Sequence, residues 1–325
     1  MNNGINNPEV VAAKQALWST HPEVIVRHVS KVTHRKAEIE RRIQQGAWNE
    51  VYVVGAEGKR YVLRISREAN LIAKEKSARD LAKAAGVSVP STLDISPVSV
   101  DGKELTFELT EFIDGPALHE VTDPAVRKGI LVHAGLLLSK LHTIGCLTYG
   151  PFPSVETGPK ILSLFRKGQI SFVNSSLTQI SEIINISPSD IEDVAKLAED
   201  LNEKYDEEHP VLVHMDFLPR HLICSVEKKQ VIGVLDFGNC RSASPFDDLA
   251  NWIDGEFALS DLLSGYSNRD LVNSPDFAMK MVLARLQGNI MQFPFALKHS
   301  LKDKVPLIWG RILEQVEILK AGNEP

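Results

Sequence analysis

The hydropathy pattern of this chain changes its period at Asp114-Gly115-Pro116, and that switch limits the folds open to it. Ahead of it, apolar residues fall in short runs of strand length: Glu38–Ile43, Val51–Val54, Arg60–Ser66, Ile95–Val100 and Glu104–Ile113. Turn signals separate them at Gly46, at Gly55–Gly58 and at Asp101-Gly102, the last a strong hairpin turn. One helical stretch interrupts, from about Asn70 to Ala85, with Leu71, Ala78, Leu81, Ala82 and Ala85 on roughly one face and Gly86 at its end. Proline cannot donate to a ladder, so the strand holding Pro97 starts later or lies at an edge. After the switch, helical stripes dominate. One runs Val126, Ile130, Leu131, Ala134, Leu137, Leu138 and Leu141. Another, behind the cap Ser187-Pro188, runs Ile191, Val194, Leu197, Ala198, Leu201 and Tyr205. The pattern predicts an α+β chain of two lobes. A small five-stranded antiparallel N-lobe with one helix spans 35–113, and a larger, mostly helical C-lobe spans 114–325. Residues 1–34 form an extension packed on the first lobe. A length of 325 residues exceeds the usual size of one core, which agrees with two lobes.

An island of strand breaks the helical half: Val211–Val213, Leu222–Val226 and Val231–Leu235. It reads V-L-V-H-M-D-F-L-P-R-H-L-I-C-S-V and then V-I-G-V-L-D-F-G. Glu227-Lys228-Lys229-Gln230 suits a hairpin loop between the last two runs. Pairing Val226 with Val231 places His221 opposite Asp236 at the open end. Opposed residues have Cα atoms ~4.5–5.5 Å apart and side chains on one face, so this imidazole and carboxylate could chelate one divalent cation. Asp216 lies in the loop entering the hairpin. The set offers one carboxylate to receive a proton and two ligands for a metal, as metal-dependent phosphoryl transfer requires. A lone D-F-G, or a lone histidine ahead of a strand, carries little. The joint spacing H-x-D-x-x-x-x-H, hairpin, D-F-G is much rarer by chance.

On these residues, Val213–Leu222 resembles the catalytic loop of the protein-kinase-like small-molecule kinases. More narrowly it looks like the aminoglycoside phosphotransferase family, where the loop usually reads H-G-D-x-x-x-x-N. His221 stands at the Asn position, as in some aminoglycoside and macrolide phosphotransferases, which leaves open how a second metal is held. Met215 stands at the Gly position, where tighter loop packing is the expected effect. The resemblance implies that Asp216 is the catalytic base and that His221 and Asp236 hold Mg²⁺ against the phosphates of ATP or GTP. His214 would be a structural brace. Gly46-Ala47-Trp48-Asn49-Glu50-Val51-Tyr52 resembles the loop covering the phosphates, which makes Gly46 and Asn49 nucleotide-binding residues. Tyr61–Ile65 resembles the third strand, with Arg64 on phosphate and Glu75 as its helix partner; a solvated side chain is the alternative at each. Glu104–Gly115 resembles the hinge between lobes, where the backbone of Glu111 and Ile113 would bond the nucleobase. Leu138–His142 resembles a structural helix end, and Pro245–Ala250 a segment in which Asp248 holds the catalytic loop. The resemblance covers roughly residues 35–255.

Several classes are excluded. Only Asn239–Ser244 separate Gly238 from Pro245, A-P-E is absent, and no G-x-G-x-x-G appears, so a protein kinase is disfavoured. A net charge of −6 without a basic run argues against nucleic acid. Gly129–Leu141 is too short to span a bilayer. The N-terminus lacks secretory character, and Cys146, Cys224 and Cys240 form no C-x-x-C pair, which points to a reducing cytoplasm. The acidic residues between Glu182 and Glu208 could attract a cationic acceptor, though a solvated helix face is the simpler reading. The prediction is an ATP- or GTP-dependent kinase of a small-molecule hydroxyl, on an aminoglycoside, macrolide or related alcohol. The alternative is a catalytically silent nucleotide-binding or interaction protein on the same scaffold, suggested by Arg64 and His221.

Overall fold

A computed structural model describes residues 20–43, 49–153, 158–174, 177–206, 209–252, 257–298 and 301–322. The first helix, α1 (Pro22–Thr33), is capped by His21, whose Nδ1 accepts from the Glu23 N–H at 3.4 Å. It buries Ile25 and Val29 against an antiparallel sheet. That sheet comprises β1 (Ala37–Ile43), β2 (Glu50–Ala56), β3 (Lys59–Ser66), β4 (Thr92–Val100) and β5 (Lys103–Glu111), in the order β1-β2-β3-β5-β4. Alternate residues Leu63, Ile65, Phe107 and Leu109 supply its core, as a period of two requires. Between β3 and β4 runs α2 (Ala69–Ala84).

The strand with Pro97 lies at an edge, one of its two expected places, where a missing N–H costs no ladder bond, and it starts at Thr92, earlier than Ile95. Two other expectations are corrected here. β5 stops at Glu111, short of Ile113. Past that point Phe112 is held by the Arg60 carbonyl and by the Arg60 guanidinium 4.3 Å over its ring, and the chain leaves the sheet. The buried face of α2 is not the apolar stripe: Leu81 is 43% exposed and Leu71 half-buried, while Glu75 and Arg79 are buried beside Ile72, Ala78 and Ala82. Ion pairing across the sheet, described below, decides which way this helix faces.

In the C-lobe, α3 (Pro124–Leu141) is capped by Asp123 and buries the predicted stripe from Ile130 to Leu141. There follow β6 (Gly150–Pro151), α4 (Leu162–Asn174), α5 (Leu177–Ile184), α6 (Pro188–Lys204), β7 (Val211–Val213), β8 (Leu222–Ser225), β9 (Gln230–Val234) and β10 (Arg241–Ala243). After them come α7 (Pro245–Asn251), α8 (Leu259–Gly265), α9 (Arg269–Val272), α10 (Phe277–Lys298) and α11 (Val305–Ala321). One core gathers α3, the β8–β9 hairpin, Phe237, Leu249 and Leu262, and sits under the site. A second joins α4, α5, α6, α10 and α11 through Ile170, Ile191, Leu286, Phe293 and Ile312. The acidic residues Asp190, Glu192, Asp193, Asp200 and Glu203 of α6 point to solvent. Among the described residues, no helix is long and apolar enough to cross a membrane.

Candidate active site

The loop after β7 is fixed from below by one buried carboxylate. Asp248, on α7, accepts from the His214 N–H at 2.7 Å, from the Met215 N–H at 2.6 Å and from His142 Nε2 at 3.0 Å. Burial, the largest effect, pushes the Asp248 carboxyl up, but the hydrogen bond and attraction from His142, with the His214 N–H, outweigh it and hold it below the ordinary carboxylate value. His214 is fully buried, and its Nδ1 accepts the Asp216 N–H at 3.2 Å. Its Nε2 therefore carries the proton and donates to the Leu235 carbonyl at 3.0 Å, which ties the loop to the end of β9. Burial lowers the His214 pKa, in keeping with that neutral ring. Met215 adopts φ = +65°, a left-handed conformation that glycine accepts freely and a side chain does not. The consequence of Met215 is thus backbone strain, beyond the tighter packing expected from sequence.

The β8–β9 register differs from the predicted one. Leu222 pairs with Val234 and Ile223 with Gly233, a bulge follows, and Cys224 pairs with Val231. Val226 lies outside the ladder and is 45% exposed, so the Val226–Val231 pair does not form. Continuing the ladder, His221 meets Leu235, whose N–H donates to its carbonyl at 2.9 Å. His221 and Asp236 nevertheless come together, through two local turns. His221 closes a 3₁₀ turn at Pro219–His221, and Asp236 takes φ 63°, ψ 70°. His221 Nε2 lies 3.6 Å from Asp236 Oδ2, and Nδ1 lies 3.6 Å from Asp216 Oδ2. One ligand atom from each of Asp216, His221 and Asp236 falls within 4.8 Å of the others. Two carboxylates and an imidazole suit a divalent cation; the carboxylates match the oxygen ligands of Mg²⁺, while the imidazole is a ligand more usual for softer ions. His221 Nδ1 sits 2.9 Å from the Asp216 carbonyl, which can only accept, so Nδ1 carries the proton and Nε2 keeps its lone pair.

Facing this group, Arg64 of β3 is gripped by two carboxylates. Its Nη1 donates to Glu75 Oε2 at 2.6 Å, and its Nη2 and Nε donate to Glu108 Oε2 at 2.8 and 3.1 Å. Arg79 bonds the other Glu108 oxygen and approaches Glu75 at 3.8 Å. Burial works against the Arg64 charge, but Glu75 and Glu108 overcome it and raise its pKa. Burial pushes the Glu75 carboxyl up and Arg64 draws it back in part. Glu108 and Arg79 escaped the sequence reading. The Glu75–Arg79 spacing of four residues was the available signal for one, and the position of Glu108 opposite Arg64 on β5 appears only with the register. Lys74 Nζ donates to the Gly238 carbonyl at 3.0 Å, tying α2 to the turn that carries Asp236.

The segment between the lobes rests on the hairpin. A Cβ on Gly115 would meet the Cys224 carbonyl at 2.4 Å, so that position needs glycine; one on Gly233 would meet the tip of the Ile113 side chain at 2.4 Å, so the hairpin and the segment pack closely there. The Glu111 N–H is committed to the Ser91 carbonyl at 2.9 Å, which leaves its own carbonyl as the group it could offer a ligand. Asn49 Oδ1 is buried without a hydrogen-bond partner among the described residues. Gly46 lies outside the described residues.

A family model described as the phosphotransferase enzyme family (APH) matches residues 40–276. No curated protein matches the sequence. Among solved structures, the chain is similar to the aminoglycoside phosphotransferase APH(4)-Ia, with a TM-score of 0.68 at 15% identity over 91% of this chain and 99% of that one. A thermostable mutant of that protein, in ternary complex with AMP-PNP and hygromycin B, matches with a TM-score of 0.66 at 16% identity over 93% and 99%. ADP-bound APH(2'')-Ib matches with a TM-score of 0.61 at 16% identity over 90% and 98%. At these identities the likeness establishes the fold.

Proposed function

Because the chain belongs to the phosphotransferase enzyme family, we propose that it transfers the γ-phosphoryl group of ATP or GTP to a hydroxyl of a small molecule by in-line displacement. The acceptor is an aminoglycoside, a macrolide or a related alcohol. The observation that carries this reading is the convergence of Asp216, His221 and Asp236, opposite a guanidinium clamped by two carboxylates. Solved proteins of the same fold support it: one is bound to ADP and another is in ternary complex with AMP-PNP and hygromycin B.

Each residue has a task. Asp216 accepts the proton of the attacking hydroxyl and orients that oxygen toward phosphorus. His221 Nε2 and Asp236 would hold Mg²⁺, which when bound neutralises charge on the phosphates. Arg64, fixed in direction by Glu75 and Glu108, turns its remaining N–H donors to phosphate. The Glu111 carbonyl and the Ile113 N–H address the nucleobase, and Gly46 and Asn49 belong to the loop over the phosphates. The three cysteines are unpaired, and burial pushes Cys224 and Cys240 up to about 12, so neither is a reactive thiolate. That supports a cytoplasmic setting. Nucleic acid and membrane have no part in this reading. A silent scaffold would have no need of the Asp216 and Asp236 carboxylates, whose presence favours the enzyme.

The test is phosphate transfer from ATP and from GTP to aminoglycosides, macrolides, choline analogues and sugars. The proposal expects turnover with one class and a loss of at least ~10²-fold in kcat for Asp216→Ala. No turnover across the panel, or an Asp216→Ala variant as active as wild type, would count against it.

A further inference from the structure

The convergent group contains a cation of its own. Arg220 Nη2 donates to Asp216 Oδ1 at 2.5 Å, and Arg220 Nε donates to His221 Nε2 at 3.2 Å. One guanidinium thus spans the proposed base and a proposed metal ligand. The second contact is the informative one. With the His221 proton on Nδ1, the lone pair that Arg220 occupies on Nε2 is the one a metal ion would need. Asp216 and His221 are 16% and 15% exposed at their side chains, whereas Arg220 is 41% exposed, so its guanidinium reaches in from solvent on a long, flexible stem and can withdraw. The loop residues before it, Phe217, Leu218 and Pro219, carry no charge, so Arg220 is the loop's own source of positive charge here.

We infer that Arg220 is the internal counter-ion of this site: it stands in the place of the divalent cation, satisfies Asp216 and His221 Nε2 in the metal-free protein, and competes with the metal for Nε2. This rests on the assignment of His221 and Asp236 as metal ligands. Metal binding to the free protein is therefore weak. His221 and Asp236 would hold Mg²⁺ better with nucleotide bound, when phosphates could supply further ligands and the released Arg220 guanidinium would have an anion to face. Arg220 is a positioning residue in this scheme, acting through its hold on Asp216 and His221.

The experiment is a Mn²⁺ titration of the nucleotide-free protein, followed by the electron paramagnetic resonance signal of the free ion. It compares wild type with Arg220→Met, Arg220→Lys and Asp236→Ala. Arg220→Met removes the charge without adding an oxygen ligand and should tighten Mn²⁺ binding about 3- to 10-fold, the range expected when a partly exposed, charge-assisted contact no longer competes. Arg220→Lys keeps the charge and should stay within about twofold of wild type. Loss of a merely structural contact would weaken binding or leave it alone; it would not tighten it. If Arg220→Met binds Mn²⁺ no more tightly than wild type while Asp236→Ala weakens binding, the counter-ion role fails and the metal site stands. If Asp236→Ala changes nothing either, both fail together.

Discussion

Replacing Asp248 by Asn tests whether one buried carboxylate holds the loop after β7, which carries the proposed base Asp216. The side chain is 0% exposed and accepts two bonds on Oδ2, from the His214 N–H and His142 Nε2, and one on Oδ1, from the Met215 N–H. An amide has a single acceptor oxygen. If that oxygen takes the Oδ2 position, the Met215 N–H faces an NH₂ group and one buried donor is orphaned, at about 1–3 kcal/mol. The other two bonds lose their charge assistance, at roughly 1 kcal/mol each. The sum is about 3–5 kcal/mol, a large share of the ~5–15 kcal/mol that stabilises a typical domain. The released N–H belongs to the residue at φ = +65°, a conformation costing about 1–2 kcal/mol, so the loop should also relax and kcat should fall. The Asp248 pKa lies below its unfolded value, so its ionisation contributes in full above about pH 3.8 and is lost as pH falls through the folded value. Urea unfolding at neutral pH, followed by circular dichroism, reads the loss directly. A variant within about 0.5 kcal/mol of wild type, with its kcat intact, would refute the reasoning.

Two further outcomes are expected. His133 Nδ1 accepts the Val231 N–H at 3.2 Å, and burial lowers its pKa from 6.5, so as pH falls below 6.5 the unfolded chain takes up a proton first and stability declines. The fall in Tm between about pH 7.5 and 5.5 should be shallower for His133→Gln, and an unchanged slope would contradict this. A Cβ on Gly135 would lie 1.8 Å from the Leu262 backbone oxygen, so Gly135→Ala must separate α3 from α8 and should cost about 1–3 kcal/mol in urea unfolding; a neutral result would mean that the two helices are not so closely apposed.

Much of the architecture could be read before any coordinates. The strands around Leu63 and Phe107 and the stripe of α3 follow from periods of two and 3.6 because one face of each meets an apolar core. The face of α2 could not be read the same way. Glu75 and Arg79 count as polar in any periodic scheme, and only their partners Arg64 and Glu108, from two other strands, make their burial tolerable. The hairpin register was misjudged at the loop: Ser225 pairs with Gln230, so the turn is Val226–Lys229, one residue earlier than Glu227–Gln230, and the bulge between Ile223 and Cys224 recovers only one residue of that shift. His221 and Asp236 were still expected side by side, for the wrong reason: the 3₁₀ turn and the left-handed Asp236 bring them together where strand pairing would not. Arg220 went unremarked because an exposed arginine in a loop carries no signal until its guanidinium is seen against Asp216 and His221.

Nucleotide binding with and without Mg²⁺, in wild type and in Asp236→Ala, puts the phosphoryl-transfer assignment to its plainest trial. The account predicts that Mg²⁺ strengthens nucleotide binding to the wild type, and that this strengthening disappears in Asp236→Ala while the fold persists. Mg²⁺-dependent binding that survives the substitution would contradict the assignment.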